Sequence, residues 1–455
     1  MSVTLSKDKS VREAYEADAS GLHLIPDFVA RPESIEEVVE LMHRATADKL
    51  SVTCAGAQTS TTGASITDSG ILLSLRSLDD MAPVDVKSRT IKVGPGALVG
   101  DIKRTAAAAG LLFAPDPTSE EESTIGGAIA CNASGARTFK YGATRQHVQA
   151  LKIVMANGDL REFRRSNLEK NTVGYAFAHD PIDWFIGSEG TLGIIVEAEL
   201  SLLPLPAHVI GLAIFFATED AALRFVVAAR ESRSVAPRCI EYFDDQAIAI
   251  ARGAVPGVMI PPGSATMVYV EEEVGDDVDS ALFKWSDLLE ELAPDFEPLV
   301  FDGEARLREA RRMRHSIPAT MNERGGQQLR AGGRKVSTDW AVPYARLGEA
   351  IQKARSVTAS YNIPQPVIYG HAGNGHPHEN FVARDREELA TIEKAVEQTL
   401  RHVLALGGTV AAEHGIGKIK RRWLPLQMNT LQIAMMGAVK KELDPNGLLA
   451  PGNIL

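Results

Sequence analysis

The chain has 455 residues, too many for one ordinary core, so two or three domains of roughly 100–200 residues are expected. Hydrophobic residues make up 45% and charged residues 24%, the balance of a globular protein. The net charge of −11 (48 basic, 59 acidic) argues against a nucleic-acid binder, which carries a basic face, but allows a local basic funnel for an anionic substrate.

Cys54, Cys131 and Cys239 are too few and too widely spaced for a disulfide framework, a zinc ribbon or an iron–sulfur cluster, and they suit a reducing compartment. The first twenty residues are polar, without the apolar core of a secretion signal. No apolar run reaches the roughly 18 residues that span a bilayer. A cytoplasmic location is expected, with peripheral attachment to a membrane left open.

In chain order, residues 32–48 predict a helix capped by Ser34, with Glu37 completing a capping box and Ile35, Val38, Val39 and Met42 as its apolar stripe. Strands follow at "LSVTCA", 70–75 and 90–94, then an alanine-rich helix at about 98–109. The pattern at 151–163 is a hairpin around Asn157-Gly158, which suits a primed turn. A glycine-rich turn at 187–193 leads to a strand ending at two prolines, and a domain boundary is placed near 206. Beyond it, "HVIGLAIFF", "RCIEYF" and "ATMVYVEEE" alternate with helices near 219–232, 244–252 and 278–292. A charged helix is expected at 303–316 and another at 385–406.

Three segments can bring backbone N–H groups close to a ligand: 56–65, 123–135 and "GSEGTLG". Each alone is an ordinary connection; together in the first 195 residues they favour a large nucleotide cofactor. No G-x-G-x-x-G opens a helix after a strand, and neither a Walker A loop nor a G-x-S-x-G elbow is present.

The stretch "GHAGNGHPHENF" (370–381) crowds His371, His376 and His378 around a Gly-Asn-Gly turn. If its flanks are paired strands, His378 and Asn380 share a face and His371 ends the facing strand. That supplies two imidazoles of a divalent-metal site. Glu413 in "AAEHGIG", read as ending a small strand, is the best third ligand, with His414 beside it as a base. The alternative is that these histidines only cap a hairpin.

Together "AGAQTSTTGAS", "STIGGAIACNASG", "GSEGTLGIIVEAEL", "GHAGNGHPHENF", "EHGIGKIKRRWL" and "LDPNGLLAPGNIL" resemble the FAD-linked oxidoreductases of the vanillyl-alcohol oxidase / p-cresol methylhydroxylase superfamily. The likeness is strongest to the D-lactate, D-2-hydroxyglutarate and glycolate dehydrogenase branch. It implies an α+β protein: a two-subdomain FAD-binding PCMH-type domain over 1–206, an antiparallel-sheet cap or substrate domain over 207–440, and a segment, 441–455, returning to the first. The implied FAD contacts are Gly56, Ala57, Gln58, Thr59, Ser60, Pro117, Thr118, Ser123, Gly126, Gly127, Asn132, Ser134, Gly135, Tyr141, Gly142, Glu189, Gly190 and Ile195.

The resemblance also implies a divalent metal (Zn, Mn or Fe) on His371, His378 and Glu413, with His414 as catalytic base. Arg314, Lys335 and Asn380 are the candidates for substrate binding. Departures from the family pattern are Asn374-Gly375-His376 for its Asp-Gly-Asn, Ala450-Pro451 for Asn-Pro, and Ser337 for a lysine, with Lys335 two residues earlier. No histidine lies in the 54–65 loop, so non-covalent FAD is expected.

The reading is a dehydrogenase that oxidises a small anionic D-2-hydroxy acid, D-lactate-like, and hands electrons to an external quinone, cytochrome, iron–sulfur subunit or electron-transfer flavoprotein. A homodimer is left open. The alternatives are a metal-free FAD oxidase or ether-lipid-synthase-like enzyme, or the flavoprotein subunit of a glycolate oxidase-type complex.

Overall fold

A computed structural model describes residues 3–275, 277–292 and 295–455 and divides the α+β chain into two units. The first takes residues up to 134, then 142–205 and 413–455; the second takes 135–141 and 206–412. The returning segment therefore starts at Glu413 rather than at 441. Among the described residues, no helix is long and apolar enough to cross a membrane.

The first unit holds two larger sheets and a short two-stranded one, Leu111–Leu112 with Leu203–Pro204. Phe28–Ala30, Ile71–Ser74 and Val52–Ala55 form a parallel sheet with Ile71–Ser74 in the centre. Helix Ile35–Asp48 buries Val38, Leu41, Met42 and Ala45 in the same core cluster as Val52, Ile71 and Leu73. Ser34 Oγ accepts the Glu37 N–H at 3.2 Å. The Glu37 carboxylate, however, accepts from Glu33 N–H at 2.8 Å, so the expected box closes one residue early. The last residues join this sheet: Val52 N–H donates to Leu448 O, and Ala450 N–H to Val52 O.

The second sheet is antiparallel, in the order Thr90–Val93, Ile194–Ser201, Val148–Val154, Leu160–Arg164. Its hairpin is not closed by a primed turn. Gly158 N–H donates to Met155 O and only Gly158 has positive φ, +87°, so a tight turn is followed by one left-handed glycine. His147, 3% exposed, enters this sheet edge-on to Phe113, with ring centroids 6.1 Å apart.

The second unit is built on a seven-stranded antiparallel sheet. Its order is Leu299–Asp302, His208–Phe216, Thr266–Val274, Pro237–Phe243, Val367–His371, His376–Asp385, Gly332–Ser337. Helix Gly303–Gly326 packs Met313, Ile317 and Met321 into a cluster with Phe215, Phe243, Tyr269 and Tyr369. It runs past the expected end at 316 and through Pro318. The proline forfeits one backbone hydrogen bond, and the burial of Ile317 and Met321 on either side holds the helix together. The stretch before Glu413 is not a strand; it makes a single bridge, Thr409 to Ala341, and Ala412 N–H donates to Asp339 O at 2.8 Å.

Burial pushes the His147 pKa down from 6.5 to about 4. Between these values the unfolded chain binds more protons than the folded one. Stability from this group is therefore full above about pH 6.5 and is lost as pH falls toward 4, by up to about 3 kcal/mol. Urea unfolding at pH 7 and pH 5 should show a smaller acid loss for His147→Leu than for the wild type; equal losses would assign the acid sensitivity elsewhere.

Candidate active site

The hairpin of the second unit sets the histidines by register. Tyr369 stands opposite His378, and His371 opposite His376. With side chains alternating every residue, His371, His376, His378 and Asn380 share one face. The turn must be tight: Gly375 has φ +67°, and a Cβ there would strike Val342 O. A Cβ at Gly370 would sit 3.1 Å from the His378 ring, so glycine makes room for that imidazole. The three rings are 4–8% exposed.

Each ring has its own anchor. His371 Nδ1 lies 2.6 Å from Glu241 Oε1, and the other Glu241 oxygen meets Arg314 Nε at 2.8 Å. His378 Nδ1 faces Thr338 O at 3.4 Å. His376 Nε2 is 3.2 Å from Asp339 Oδ1. Rings held through Nδ1 by an acidic or carbonyl oxygen present Nε2 outward, as metal-ligating histidines do. This donor set fits a divalent ion. Glu241, Asp339 and Thr338 were not singled out in the sequence. The signal was there for Glu241: a charged residue alone among apolar ones in the strand "CIEYF".

Of the expected substrate groups, Asn380 is 1% exposed; its Nδ2–H donates to His378 O and Val367 O, while Oδ1 has no protein partner. Arg314 faces inward onto Glu241, not outward from a solvated helix. Lys335 is half-buried, its Nζ donates to Asn322 Oδ1 at 2.8 Å, and burial pulls its pKa down to about 8. Ser337 pairs with Asn380 across the sheet.

In the first unit the three glycine-rich segments converge. Among the described residues, none of the backbone N–H groups of residues 56–60 has a hydrogen-bond partner. Gln58 holds φ +56°, uncommon without glycine, and its side chain donates to Tyr15 O. Gly56 abuts Thr124 so closely that a Cβ would enter the Thr124 side chain. Ser123 Oγ and Thr124 Oγ1 are buried without partners. Unpaired amides and orphaned hydroxyls in a glycine-lined recess fit an anionic pyrophosphate. The amides of Ile125 and Gly126 are already spent, on Ala97 O and Pro95 O.

The remaining expected contacts divide. Asn132 (φ +50°) caps helix Ile125–Cys131, and its Oδ1 accepts Arg145 N–H at 2.9 Å. The turn at 187–190 lies against that helix, with Gly187 N–H donating to Ile129 O and Glu189 N–H to Ala130 O. Gly142, Gly190 and Ser134 are half-buried or buried and Pro117 is buried, whereas Gly127 and Thr118 are exposed. Ile195 is 7% exposed within the core cluster of the antiparallel sheet, so its side chain serves packing. Gly135 and Tyr141 belong to the second unit, where Gly135 N–H donates to Thr138 Oγ1.

Glu189 does more than line a recess. Its buried carboxylate accepts the N–H groups of Ile416 (2.5 Å) and Gly417 (2.7 Å), tying the 187–193 turn to the Gly-Ile-Gly that follows Glu413 and His414. Burial raises its pKa and these two N–H groups oppose the rise. Glu413 and His414 are themselves half-buried.

The family model described as "FAD linked oxidases, C-terminal domain" matches residues 205–454, and "FAD binding domain" matches 26–164. The chain is 28% identical to "Glycolate oxidase subunit GlcD" of Bacillus subtilis, over 97% of this chain and 92% of that protein. It is 30% identical to a D-2-hydroxyglutarate dehydrogenase of Xanthomonas citri pv. viticola (94% and 89%) and 28% identical to a D-lactate dehydrogenase of Anaerostipes hadrus (94% and 89%). Among solved structures, an alkyldihydroxyacetonephosphate synthase superposes with a TM-score of 0.72 at 19% identity, over 98% of this chain and 83% of that one; it shares the fold.

Gly56→Ala should purify with little flavin, because the new methyl group forces Thr124 and the 56–60 amides apart. The ratio of flavin to protein absorbance measures this. A variant with full flavin content would move the cofactor's phosphates away from this recess.

Proposed function

The chain belongs to the FAD-linked oxidases, and we propose that it is an FAD-dependent dehydrogenase converting a D-2-hydroxy acid, D-lactate or a close analogue, to the 2-oxo acid with the help of a divalent metal. The observation that carries this reading is the pair His371 and His378, anchored through Nδ1 on one sheet face. The relatives named for D-lactate and D-2-hydroxyglutarate support the substrate class.

Residues 56–60, Ser123 and Thr124 would hold the pyrophosphate of non-covalent FAD. When bound, FAD supplies a two-electron acceptor for the hydride on the substrate's α-carbon. His371, His378 and Glu413 would hold the divalent ion, which supplies positive charge to the hydroxyl and carboxylate oxygens. Ala412, one residue before Glu413, is anchored to the backbone of Asp339, the carboxylate beside His376.

His414 takes the hydroxyl proton as the α-hydride leaves, and the carbon–oxygen double bond forms. Asn380 Oδ1 offers an unused acceptor to a hydroxyl. Lys335 and Arg314 supply cationic charge for the carboxylate; the guanidinium has five N–H donors, of which Nε–H serves Glu241. The separated cysteines cannot hold a cluster, so electrons leave to a separate quinone, cytochrome, iron–sulfur subunit or electron-transfer flavoprotein. Similarity to a protein named as a subunit of glycolate oxidase supports a partner of this kind.

Acid precipitation should release the flavin, with the retention of FAD on chromatography; flavin left on the pellet or released as FMN contradicts the cofactor assignment. Anaerobic mixing of the holoenzyme with D- and L-2-hydroxy acids should bleach the flavin with the D series only. His414→Asn should slow that bleaching roughly 10²–10⁴-fold, the usual contribution of a general base, while metal content and FAD stay at wild-type levels. A metal-replete His414→Asn enzyme reducing its flavin at the normal rate removes His414 from the mechanism.

A further inference from the structure

We infer that His376 is a third imidazole ligand of the divalent ion, so that this chain grips the metal with three histidines of one hairpin. The inference rests on the reading of His371 and His378 as ligands. It comes from the position where this sequence departs from the family's Asp-Gly-Asn.

The geometry is local to one sheet. His371 and His376 are direct cross-strand partners, and His378 is two residues further along the same strand and face. Ring centroids are 5.5 Å apart for His371–His376 and His371–His378, and 4.5 Å for His376–His378. One nitrogen of each ring lies within 4.8 Å of one nitrogen of each of the others. Three imidazoles packed this closely and buried this deeply have no apolar reason to gather. A shared cation would give them a common partner.

His376 also has the outer support that ligating histidines have. Asp339 is 1% exposed and lies 3.2 Å from His376 Nε2, an ion-pair contact at the other ring nitrogen from the Nδ1 atoms that Glu241 and the Thr338 carbonyl meet on His371 and His378. Each ring thus has a separate oxygen beside one of its nitrogens. A hairpin cap would not need it.

The chemical consequence is a nitrogen-rich site. Three imidazoles select zinc, cobalt or ferrous iron over magnesium, calcium or manganese, which prefer oxygen ligands. With one carboxylate added, the donors would number four, the count that zinc prefers. The site should therefore hold its metal tightly.

The test uses the purified holoenzyme loaded with zinc, and X-ray absorption at the zinc edge to count imidazoles. Three in the wild type and two in His376→Asn are expected; two in the wild type overturns the inference, and this count needs no variant to fold. Cobalt(II) titration of the metal-depleted, FAD-replete protein gives the affinity. His376→Asn should weaken it by more than the roughly 10–100-fold expected for the outer-shell change Asp339→Asn, at unchanged FAD content, and should alter the visible cobalt bands. If His378→Ala abolishes cobalt binding while His376→Asn leaves affinity and bands unchanged, the metal site stands and His376 is not part of it. If His378→Ala binds cobalt normally, the metal reading itself is wrong and the inference falls with it.

Discussion

The antiparallel register between Val367–His371 and His376–Asp385 is the constraint on which the second unit's chemistry depends. A slip by one residue would turn His376, His378 and Asn380 to the opposite face, away from His371 and Glu241. The register is pinned at the turn by Gly375, whose left-handed backbone no β-carbon could occupy without meeting Val342 O. It is pinned on either side as well, because Pro237–Phe243 and Gly332–Ser337 pair with the two outer edges of the hairpin. Glu241 then does two jobs from the neighbouring strand. It fixes the tautomer of His371 and draws Arg314 inward from the covering helix.

The first unit solves a different problem, that of keeping backbone donors unsatisfied without losing the fold. Residues 56–60 are half-buried, and a run of amides without protein acceptors keeps one conformation only where surrounding structure holds it. Here the holding is done by neighbours of the recess. Gln58 accepts a left-handed backbone and spends its side chain on Tyr15. Glu189, also left-handed, binds the amides of Ile416 and Gly417. That link orients the turn directly after Glu413 and His414. A residue expected to touch the cofactor thus acts on the backbone next to the proposed base.

Much of this architecture is legible in the residues themselves. The strand and helix periods of both units lie where apolar spacing puts them, and the histidine hairpin is readable from two-residue alternation. What was not legible depended on tertiary context. Helix Gly303–Gly326 survives Pro318 because burial on its flanks outweighs one lost hydrogen bond. The Asn157-Gly158 hairpin uses one left-handed residue where the dipeptide allows two. Segment 407–412 alternates like a strand but finds only one bridge, since Asp339 O takes the Ala412 amide. Asp339 and Thr338 lie in the stretch "KVSTDWAVP", which resembles the family but gives neither residue a role; their contacts to the histidines exist only because a distant hairpin is laid beside them.

Several buried carboxylates of the second unit are matched by arginines within it. Glu271 is held well below the usual carboxylate range by Arg137 and Arg238, against the opposing pull of its own burial. Tyr269 donates to the same carboxylate. Glu241 is matched by Arg314 and by His371, and Asp339 meets His376. Burial raises Glu379, whose carboxylate accepts from Trp340 Nε1–H, to about 7, so this acid is largely protonated below neutrality. Glu271 and Glu241 are therefore paired with arginines, and Glu379 is poised to be neutral. At the short distances of a buried site, such local pairing outweighs the distant surface charge that salt screens.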